Sequence, residues 1–439
     1  MNYKTIVGLE THIELKTKQK MFCGCENNYF GQPPNTHTCP VCLALPGALP
    51  VPNEEAIRFS IKLGIALHCE INLQSFFERK HYFYPDLPKG YQISQYLKPF
   101  AYNGYLDIGS KKIRINRVHL EEDTGKLLHG TQLKNETGSF IDFNRSGVPL
   151  VEIVTEADIE SGAEASLYLQ KLQKIVQYLG ISDADMEKGS MRAEPNISVL
   201  PLDEWNQHHK LPAYKVEVKN INSFRFVKRA IEFEEERQQT LLERNEKITQ
   251  ETRRYKESTK STESMRSKEE AKDYRYFPEP DIPPFEFTEE YIHILRKEVE
   301  MVELPQVRHD RFLKLGLRTE IAEELVNNKP LGDLFLQLEK GQEAVRLANY
   351  LVNQKDNLDL ENPDEIIKKF KQTSVVKLVD PQLVEKAIAD AIKNNPQAVA
   401  DYQKGKQSAV QFLLGQVLRV VGRQVNVGDI IVLIKAKLA

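Results

Sequence analysis

The sequence lacks any long hydrophobic run. None of its apolar stretches approaches the roughly 18 residues that a membrane-spanning helix needs, so we expect no transmembrane segment. A strand-like pattern begins almost at Met1, which leaves no room for a signal or transit peptide. Together these absences predict a protein of the cytoplasm.

An excess of positive charge is missing as well. The formal net charge is −3, so the chain as a whole is not a basic surface for nucleic acid. Any contact with RNA must come from local patches, from shape or from partner proteins. The five cysteines do not suggest a disulfide framework in so long a chain without a secretion signal.

Two catalytic motifs are also absent. The sequence contains no G-x-x-x-x-G-K-[ST], which excludes the P-loop mode of ATP binding. It contains no G-x-S-x-G elbow and no Gly-Ser-rich amidase run either, so it offers no recognisable hydrolytic nucleophile.

What is present is a change of character along the chain. Residues 1–290 combine strand signals with helical patterns, which predicts an α+β fold built on an antiparallel sheet. Beyond residue 290 the apolar spacing is helical, which predicts a helical domain over 291–365 and a helical tail over 366–439. The breaker-rich segment 356–363 is a plausible linker. The strands are predicted around Ile6–Leu15, Ile113–Leu120, Val148–Thr155, Met191–Val199 and Tyr214–Lys219, and the helices at Glu54–Leu67, Ala163–Leu179, Phe224–Ile248, Ile292–Val299, Ile321–Val326, Ala344–Val352 and Leu378–Ile392.

Carboxylates and one imidazole alternate along the first strand. Because strand side chains point to opposite faces in turn, Glu10, His12 and Glu14 share one face. Two carboxylates flanking an imidazole on a rigid strand form a platform for a divalent cation. The alternative is an amphipathic strand with a solvated polar face.

Further acids lie in two other predicted strands. Glu121 and Glu122 end one strand, and alternation leaves open which of the two points toward a site. Glu152 stands inside an apolar run, where a carboxylate is costly unless it is paired or bound to metal. Pairing with Arg145 or Arg192 would explain Glu152 without a metal.

Four of the five cysteines form two close pairs. Cys23 and Cys25 are followed, after a short loop, by Cys39 and Cys42. This pattern predicts a tetrahedral Cys₄ zinc site with all positions filled by protein, which is typical of a structural role. The fifth, Cys69, is most simply a small core residue.

A stiff aromatic loop follows over residues 80–95. It combines aromatics, two prolines, a glycine and two lysines. A nucleotide base or a terminal adenosine could stack on an aromatic such as Tyr91, with Lys89 near a phosphate. The alternative is a loop whose aromatics pack onto the core.

Seven segments in order resemble the B subunit of aspartyl/glutamyl-tRNA amidotransferases. Their order and spacing match that family across residues 1 to about 290, and seven motifs in order are far more specific than any one. The segments are Ile6–His12, Arg79–Gln95, His119–Lys126, Asp142–Leu150, Met186–Arg192, Val216–Phe224 and Asp273–Asp281.

The resemblance implies a cradle-shaped kinase domain related in fold to glutamine synthetase. It implies that ATP phosphorylates the side-chain carboxylate of Glu-tRNA(Gln) or Asp-tRNA(Asn), and that ammonia then displaces the phosphate. In the family, ammonia comes from an amidase (A) subunit that hydrolyses glutamine, and a small C subunit joins the two. By motif, Glu10, His12 and Glu122 match the family's Mg²⁺ site, and the strand argument adds Glu121 and Glu152.

The chain also departs from the family pattern. Glu194 and Pro195 replace the usual aspartate and alanine, and the helical third is short with an altered tail. Two other functions compete: a stand-alone carboxylate–amine ligase for a small molecule, and a non-enzymatic zinc-ribbon RNA scaffold. The helical tail argues against the first, and the acidic strands argue against the second, because they repel phosphate unless a metal intervenes.

Overall fold

A computed structural model describes residues 2–129, 138–267, 274–339, 343–373, 380–404, 406, 408–422 and 427–438. The chain divides into two compact units, residues 1–308 and 309–439. The first two residues of the helix predicted at 378–392 lie outside the described residues. None of the described helices has the length and apolar character needed to cross a membrane.

Strands dominate the first unit and helices make up the second. The strands are β1 Tyr3–Glu14, β2 Glu70–Ile71, β3 Gln74–Ser75, β4 Glu78–His81, β5 Tyr91–Ser94, β6 Ala101–Asp107, β7 Lys112–Glu122, β8 Lys126–His129, β9 Ser139–Asp142, β10 Pro149–Thr155, β11 Met191–Pro201, β12 Val216–Lys219, β13 Glu251–Lys256, β14 Ser261–Ser267, β15 Phe277–Pro278 and β16 Phe285–Glu286. The helices are α1 Glu54–Ala66, α2 Gly162–Tyr178, α3 Leu202–His208, α4 Phe224–Glu243, α5 Glu289–Met301, α6 Pro305–Lys314, α7 Thr319–Asn327, α8 Lys329–Leu338, α9 Ala344–Gln354, α10 Pro363–Thr373, α11 Pro381–Asn394, α12 Pro396–Gln403, α13 Ser408–Val421 and α14 Val427–Leu438.

One large sheet organises the first unit. Its described strands run in the order β14-β13-β12-β11-β1-β10-β7-β6-β2. Neighbouring strands are antiparallel except β12 and β13, which are parallel. The predicted mixed fold, with a mainly antiparallel sheet and a helical C-terminal region, is confirmed. The central position of β1, between β11 and β10, decides where the site forms.

The two faces of β1 differ in chemistry. Leu9, Thr11 and Ile13 are completely or almost completely buried, whereas the side chains between them keep some exposure. Helices cover the apolar face, and each of α1, α2 and α4 begins at an Asn or Ser side chain that accepts backbone N–H groups. Burying one leucine side chain contributes about 2 kcal/mol, so the covered face fixes the register of β1.

Helix α4 follows the predicted apolar stripe but ends early. Val227 and Ile231 are fully buried, and Phe224 packs partly against the same core. The helix ends at Glu243, whereas the pattern predicts helix to Ile248. Asn245 takes a positive φ of 56° immediately afterwards, which is a conformation that asparagine tolerates and that a helix cannot continue through.

The second unit consists of packed helices. In its first part the Phe312 and Phe335 rings meet edge to face, with centroids 5.3 Å apart. Tyr350 of α9 and Phe370 of α10 lie 5.4 Å apart, so α10 packs with the helices before it. Farther along, α11, α13 and α14 build a separate apolar cluster around Ile388. A 3₁₀ turn and an irregular stretch before α10 occupy the predicted linker.

Candidate functional site

The polar face of the central strands collects the acidic side chains. In the register, His12 of β1 lies opposite Glu152 of β10 and Arg192 of β11. Glu152 in turn lies opposite His119 of β7. The four side chains form one row across four strands, although they are far apart in sequence. Two residues along β1, Glu10 lies opposite Glu194.

The first cluster on this face contains His12, Glu121 and Glu152. The His12 Nε2 atom lies 3.5 Å from a Glu152 oxygen and 3.6 Å from a Glu121 oxygen. His119 Nε2 is 3.1 Å from the same Glu152 oxygen. One ligand atom from each of His12, Glu121 and Glu152 lies within 4.8 Å of the others, so the three could hold a metal ion. Both carboxylates are almost fully buried.

The pKa shifts in this cluster show that nearby cations stabilise the buried carboxylates of Glu121 and Glu152. Burial acts to lower the pKa of His12, but Glu152 and Glu121 outweigh it and raise the pKa to about 9. Burial acts to raise the pKa of Glu152, but His119 and His12 hold it well below its ordinary value. Lys80 adds a further cation: burial opposes its charge, yet Glu121 and Glu152 raise its pKa.

A second cluster lies beside the first and contains Glu10, Glu194 and Glu217. Their carboxylates also approach within 4.8 Å of one another. Lys219 pairs with Glu194 and lies 2.9 Å from Glu217, and Asn196 Nδ2 donates to Glu10 at 3.0 Å. Burial, and then the charges of Glu152, Glu194 and Glu217, raises the pKa of Glu10.

Glu14 points into a different network. The hydroxyl of Tyr29 donates to Glu14 at 3.0 Å, and Arg192 lies 3.7 Å from it. Arg192 also pairs with Asp123, as Arg145 does at 3.6 Å. Arg145 and Arg192 are therefore engaged with Asp123, whereas Glu152 pairs with the imidazoles of His12 and His119.

Glu121 and Glu122 are consecutive in β7, so their side chains point to opposite faces of the strand. Glu121 faces His12 and accepts from Ser94 at 3.3 Å. Glu122 turns to the β4–β5 segment, where Lys89 Nζ lies 2.5 Å from one of its oxygens and the Ile93 amide donates at 3.0 Å. Glu122 belongs to neither carboxylate cluster among the described residues.

The predicted nucleotide-binding pair Lys89 and Tyr91 lies beside Glu122. Lys89 Nζ is 5.9 Å from the Tyr91 ring, and the Arg79 guanidinium lies over that ring at 4.3 Å. Both residues line a cavity of about 200 Å³ that Glu122 and Cys42 also line. In the same loop Phe83 and Tyr84 project into solvent, so the loop is only partly packed onto the core.

The four N-terminal cysteines come together. Sulfur atoms of Cys23, Cys25, Cys39 and Cys42 lie within 4.8 Å of one another and could hold a metal such as zinc. The Cys39 amide donates to Cys42 Sγ at 3.1 Å. A hydrogen bond from Cys23, aided by the charge of Lys20, lowers the pKa of Cys42 to about 5. Cys69 is a separate, buried thiol just beyond the end of α1, as expected for a small core residue.

Four residues of the site were not predicted from the sequence. Glu194 and Glu217 complete the second cluster, and His119 and Lys80 surround the first. Alternation along the predicted strand places Glu194 on the same face as Arg192, and this pattern could have indicated that Glu194 lies on the polar face. The register between β11 and β1, which brings Glu194 to Glu10, has no local signal in the sequence.

Two segments of the chain match known protein families. Residues 5–293 match the family described as GatB/GatE catalytic domain, and residues 316–438 match the one described as GatB domain. The catalytic-domain match includes every residue of the two carboxylate clusters and of the cysteine cluster.

Full-length relatives extend the match. The B subunit of the aspartyl/glutamyl-tRNA(Asn/Gln) amidotransferase from Thermotoga maritima is 43% identical, and its counterpart from Thermodesulfovibrio yellowstonii is 41% identical. In both comparisons 97% of this chain and 97% of the relative are covered. The chain belongs to the family of B subunits of tRNA-dependent amidotransferases.

Proposed function

We propose that the chain is the carboxylate-activating subunit of its amidotransferase. It uses ATP and Mg²⁺ to phosphorylate the side-chain carboxylate of Glu-tRNA(Gln), Asp-tRNA(Asn) or both, and ammonia then displaces the phosphate to give the amide. The observation that carries the proposal is the His12–Glu121–Glu152 cluster on the polar face of the sheet, within the residues that match the family's catalytic domain.

The donor set suits a hard divalent cation. Two buried carboxylates and one imidazole offer mainly oxygen ligands, as Mg²⁺ prefers, and Glu10, Glu194 and Glu217 offer three more carboxylates next to them. When bound, Mg²⁺ would neutralise the phosphate oxygens as the phosphoryl group moves. Glu122 remains a predicted ligand from the family motif, although its carboxylate faces Lys89.

The protein's own groups would mainly orient two anions. Both the nucleotide and the substrate carboxylate are negative, so the acidic face repels them unless cations intervene. Lys80 beside Glu121 and Glu152, and Lys219 beside Glu194, supply protein cations at the edges of the two clusters. Holding both reactants in line would provide much of the rate enhancement.

Ammonia supply, nucleotide binding and tRNA docking would be divided among partner subunits and the domains of this chain. The absence of a nucleophile motif supports an amidase (A) subunit as the source of ammonia from glutamine, held by a small C subunit. We propose a cradle related to glutamine synthetase over 1–290, with Lys89 and Tyr91 contributing to nucleotide binding. A helical domain over 291–365 and a tRNA-docking tail over 366–439 would follow, and the four cysteines would hold a structural Zn²⁺. The reaction would take place in the cytoplasm, among the aminoacyl-tRNAs.

The proposal is tested by co-purifying the chain with its partner proteins. ADP formation should depend on Glu-tRNA or Asp-tRNA, and Glu10→Gln and Glu121→Gln should abolish most of it. Glu14→Gln is the matched control, because Glu14 shares the strand face but lies outside both clusters. Glutamine hydrolysis by the partner should survive in every variant. Normal tRNA-dependent ADP formation in both test variants would contradict the proposal.

A further inference from the structure

Lys20 is a buried cation without a carboxylate partner. It is 1% exposed. Its ammonium group donates to the His37 carbonyl at 2.7 Å and lies 3.5 Å from the Phe143 carbonyl oxygen, and both of these acceptors are neutral. Lys89 and Lys219 each face a glutamate, whereas Lys20 forms no ion pair with a carboxylate among the residues that the structure describes. A buried charge is costly without a counter-charge, so Lys20 requires an anion other than aspartate or glutamate.

The four-cysteine cluster lies against Lys20. The Lys20 amide donates to the Cys25 carbonyl at 3.0 Å, and the ammonium group bonds to the loop that precedes Cys39. A Cβ atom built on Gly147 would lie 3.5 Å from the Cys42 Cβ and 3.7 Å from the Lys20 Cδ, so both side chains pack at the same point. The charge of Lys20 is near enough to act on the Cys42 sulfur. Lys20 is therefore in contact with the segments that carry both cysteine pairs.

A metal held by the four cysteines would carry excess negative charge. Zn²⁺ binds cysteine as thiolate, so a centre with four thiolates has two negative charges more than the metal neutralises. Cys42 is buried and the other three cysteines are half-buried, which limits the screening that water supplies. Such a centre requires a nearby cation, and Lys20 requires a nearby anion. Each supplies the charge that the other lacks.

The ammonium group is held in place by two segments of the chain. The Phe143 carbonyl belongs to the turn at residues 142–147, and this turn is bonded to the cysteine loop. The Ser146 hydroxyl donates to the Cys42 carbonyl at 2.9 Å, and the His37 amide donates to Asn144 Oδ1 at 2.8 Å. Because carbonyls of both segments accept from Lys20, the position of its charge is fixed by the fold and needs no rearrangement when a metal binds.

We propose that Lys20 is the counter-ion of the metal site at the four cysteines, and that its charge favours binding of a divalent metal by four thiolates. The inference rests on the zinc site of the proposed function. Lys20 donates no electron pair to the metal and acts only through its charge. The competing role is purely structural, with Lys20 bridging the His37 and Phe143 carbonyls.

The test measures zinc affinity in the complex with the partner proteins, by transfer of zinc to a chromophoric chelator. Lys20→Gln removes the charge but keeps a hydrogen-bond donor, and Lys20→Met removes both. If Lys20 is the counter-ion, zinc affinity should fall about 10-fold or more in both variants. Lys18→Met is the matched control, because Lys18 is exposed on the same segment, and its zinc affinity should not change.

A change of charge among the ligands gives an independent test. Cys25→His replaces a thiolate by a neutral ligand that zinc also accepts, so the centre carries one negative charge less. The loss of zinc affinity caused by Cys25→His should be smaller in the Lys20→Gln protein than in the unmodified protein, because the two changes offset each other in charge. A lysine that only bridges carbonyls would not produce this dependence.

Two results would overturn the assignment. The first is unchanged zinc affinity in Lys20→Gln, which would show that the hydrogen bonds matter and the charge does not; this variant decides the point even if Lys20→Met does not fold. The second is an equal loss from Cys25→His in both proteins. If the unmodified complex contains no zinc, the proposed zinc site itself fails, which is a distinguishable result.

Discussion

Adjacent glutamates at the end of β7 should have separable roles, and paired substitutions would reveal them. Glu121→Gln and Glu122→Gln are the same chemical change one residue apart. Glu121 lies within the His12–Glu152 cluster, whereas Glu122 forms a buried ion pair with Lys89. The first change should therefore affect metal binding, and the second should affect stability.

The expected magnitudes follow from burial. The side chains of Lys89 and Glu122 are only 14% and 3% exposed. Removing the charge of Glu122 therefore leaves the ammonium group of Lys89 without its carboxylate partner. Breaking such a pair costs about 3 kcal/mol of unfolding free energy, toward the lower end of the range because glutamine still accepts from Ile93. Removing Glu121 takes away a proposed ligand, which should weaken metal binding by roughly a hundredfold.

Two measurements separate the variants. Mn²⁺ titration followed by electron paramagnetic resonance reports metal affinity, and urea unfolding reports stability. We expect Glu121→Gln to lose Mn²⁺ affinity with the smaller loss of stability, because Glu152 still faces His12 and Lys80. We expect Glu122→Gln to unfold more easily while keeping its Mn²⁺ affinity. The opposite pattern would show that the family motif, with Glu122 as the ligand, describes the site better than the geometry does.

Three further predictions concern other parts of the chain. Cys39→Ser should reduce bound zinc from one ion per chain to none and lower stability while leaving residual ADP formation; metal analysis that finds no zinc in the unmodified protein would contradict this. Deletion of the tail should start at Asp380 and leave α10 in place, because α10 packs on the preceding helices. This deletion should raise KM for aminoacyl-tRNA far more than KM for ATP. An unchanged KM for tRNA would place docking elsewhere. His119→Leu should weaken Mn²⁺ binding about 10-fold or more, because Glu152 is then no longer held by the imidazole. His119→Gln keeps a hydrogen-bond donor and should recover part of the lost Mn²⁺ affinity. Equal losses of Mn²⁺ affinity in the two variants would show that His119 only packs.

The sequence predicted the elements well because their patterns are local. Alternation along β1 placed Glu10 and His12 on one face and Leu9 and Ile13 on the other, and burial agrees. The paired cysteines were also readable, because knuckle spacing brings neighbouring thiols together without knowledge of the wider fold. These features depend on residues a few positions apart.

The composition of the two clusters could not be predicted in the same way, because it depends on register between strands distant in sequence. Glu10 and Glu194 are opposite each other on β1 and β11 although they are 184 positions apart in the chain. A slip of one residue would turn Glu194 to the other face of the sheet and replace it with Ala193 or Pro195. The buried face of β11 prevents that slip, since it would turn Ala193 and Ile197 out of the core. The apolar side of the strand thus determines which carboxylates meet on its polar side, and the chemistry of the site depends on the packing of the core beneath it.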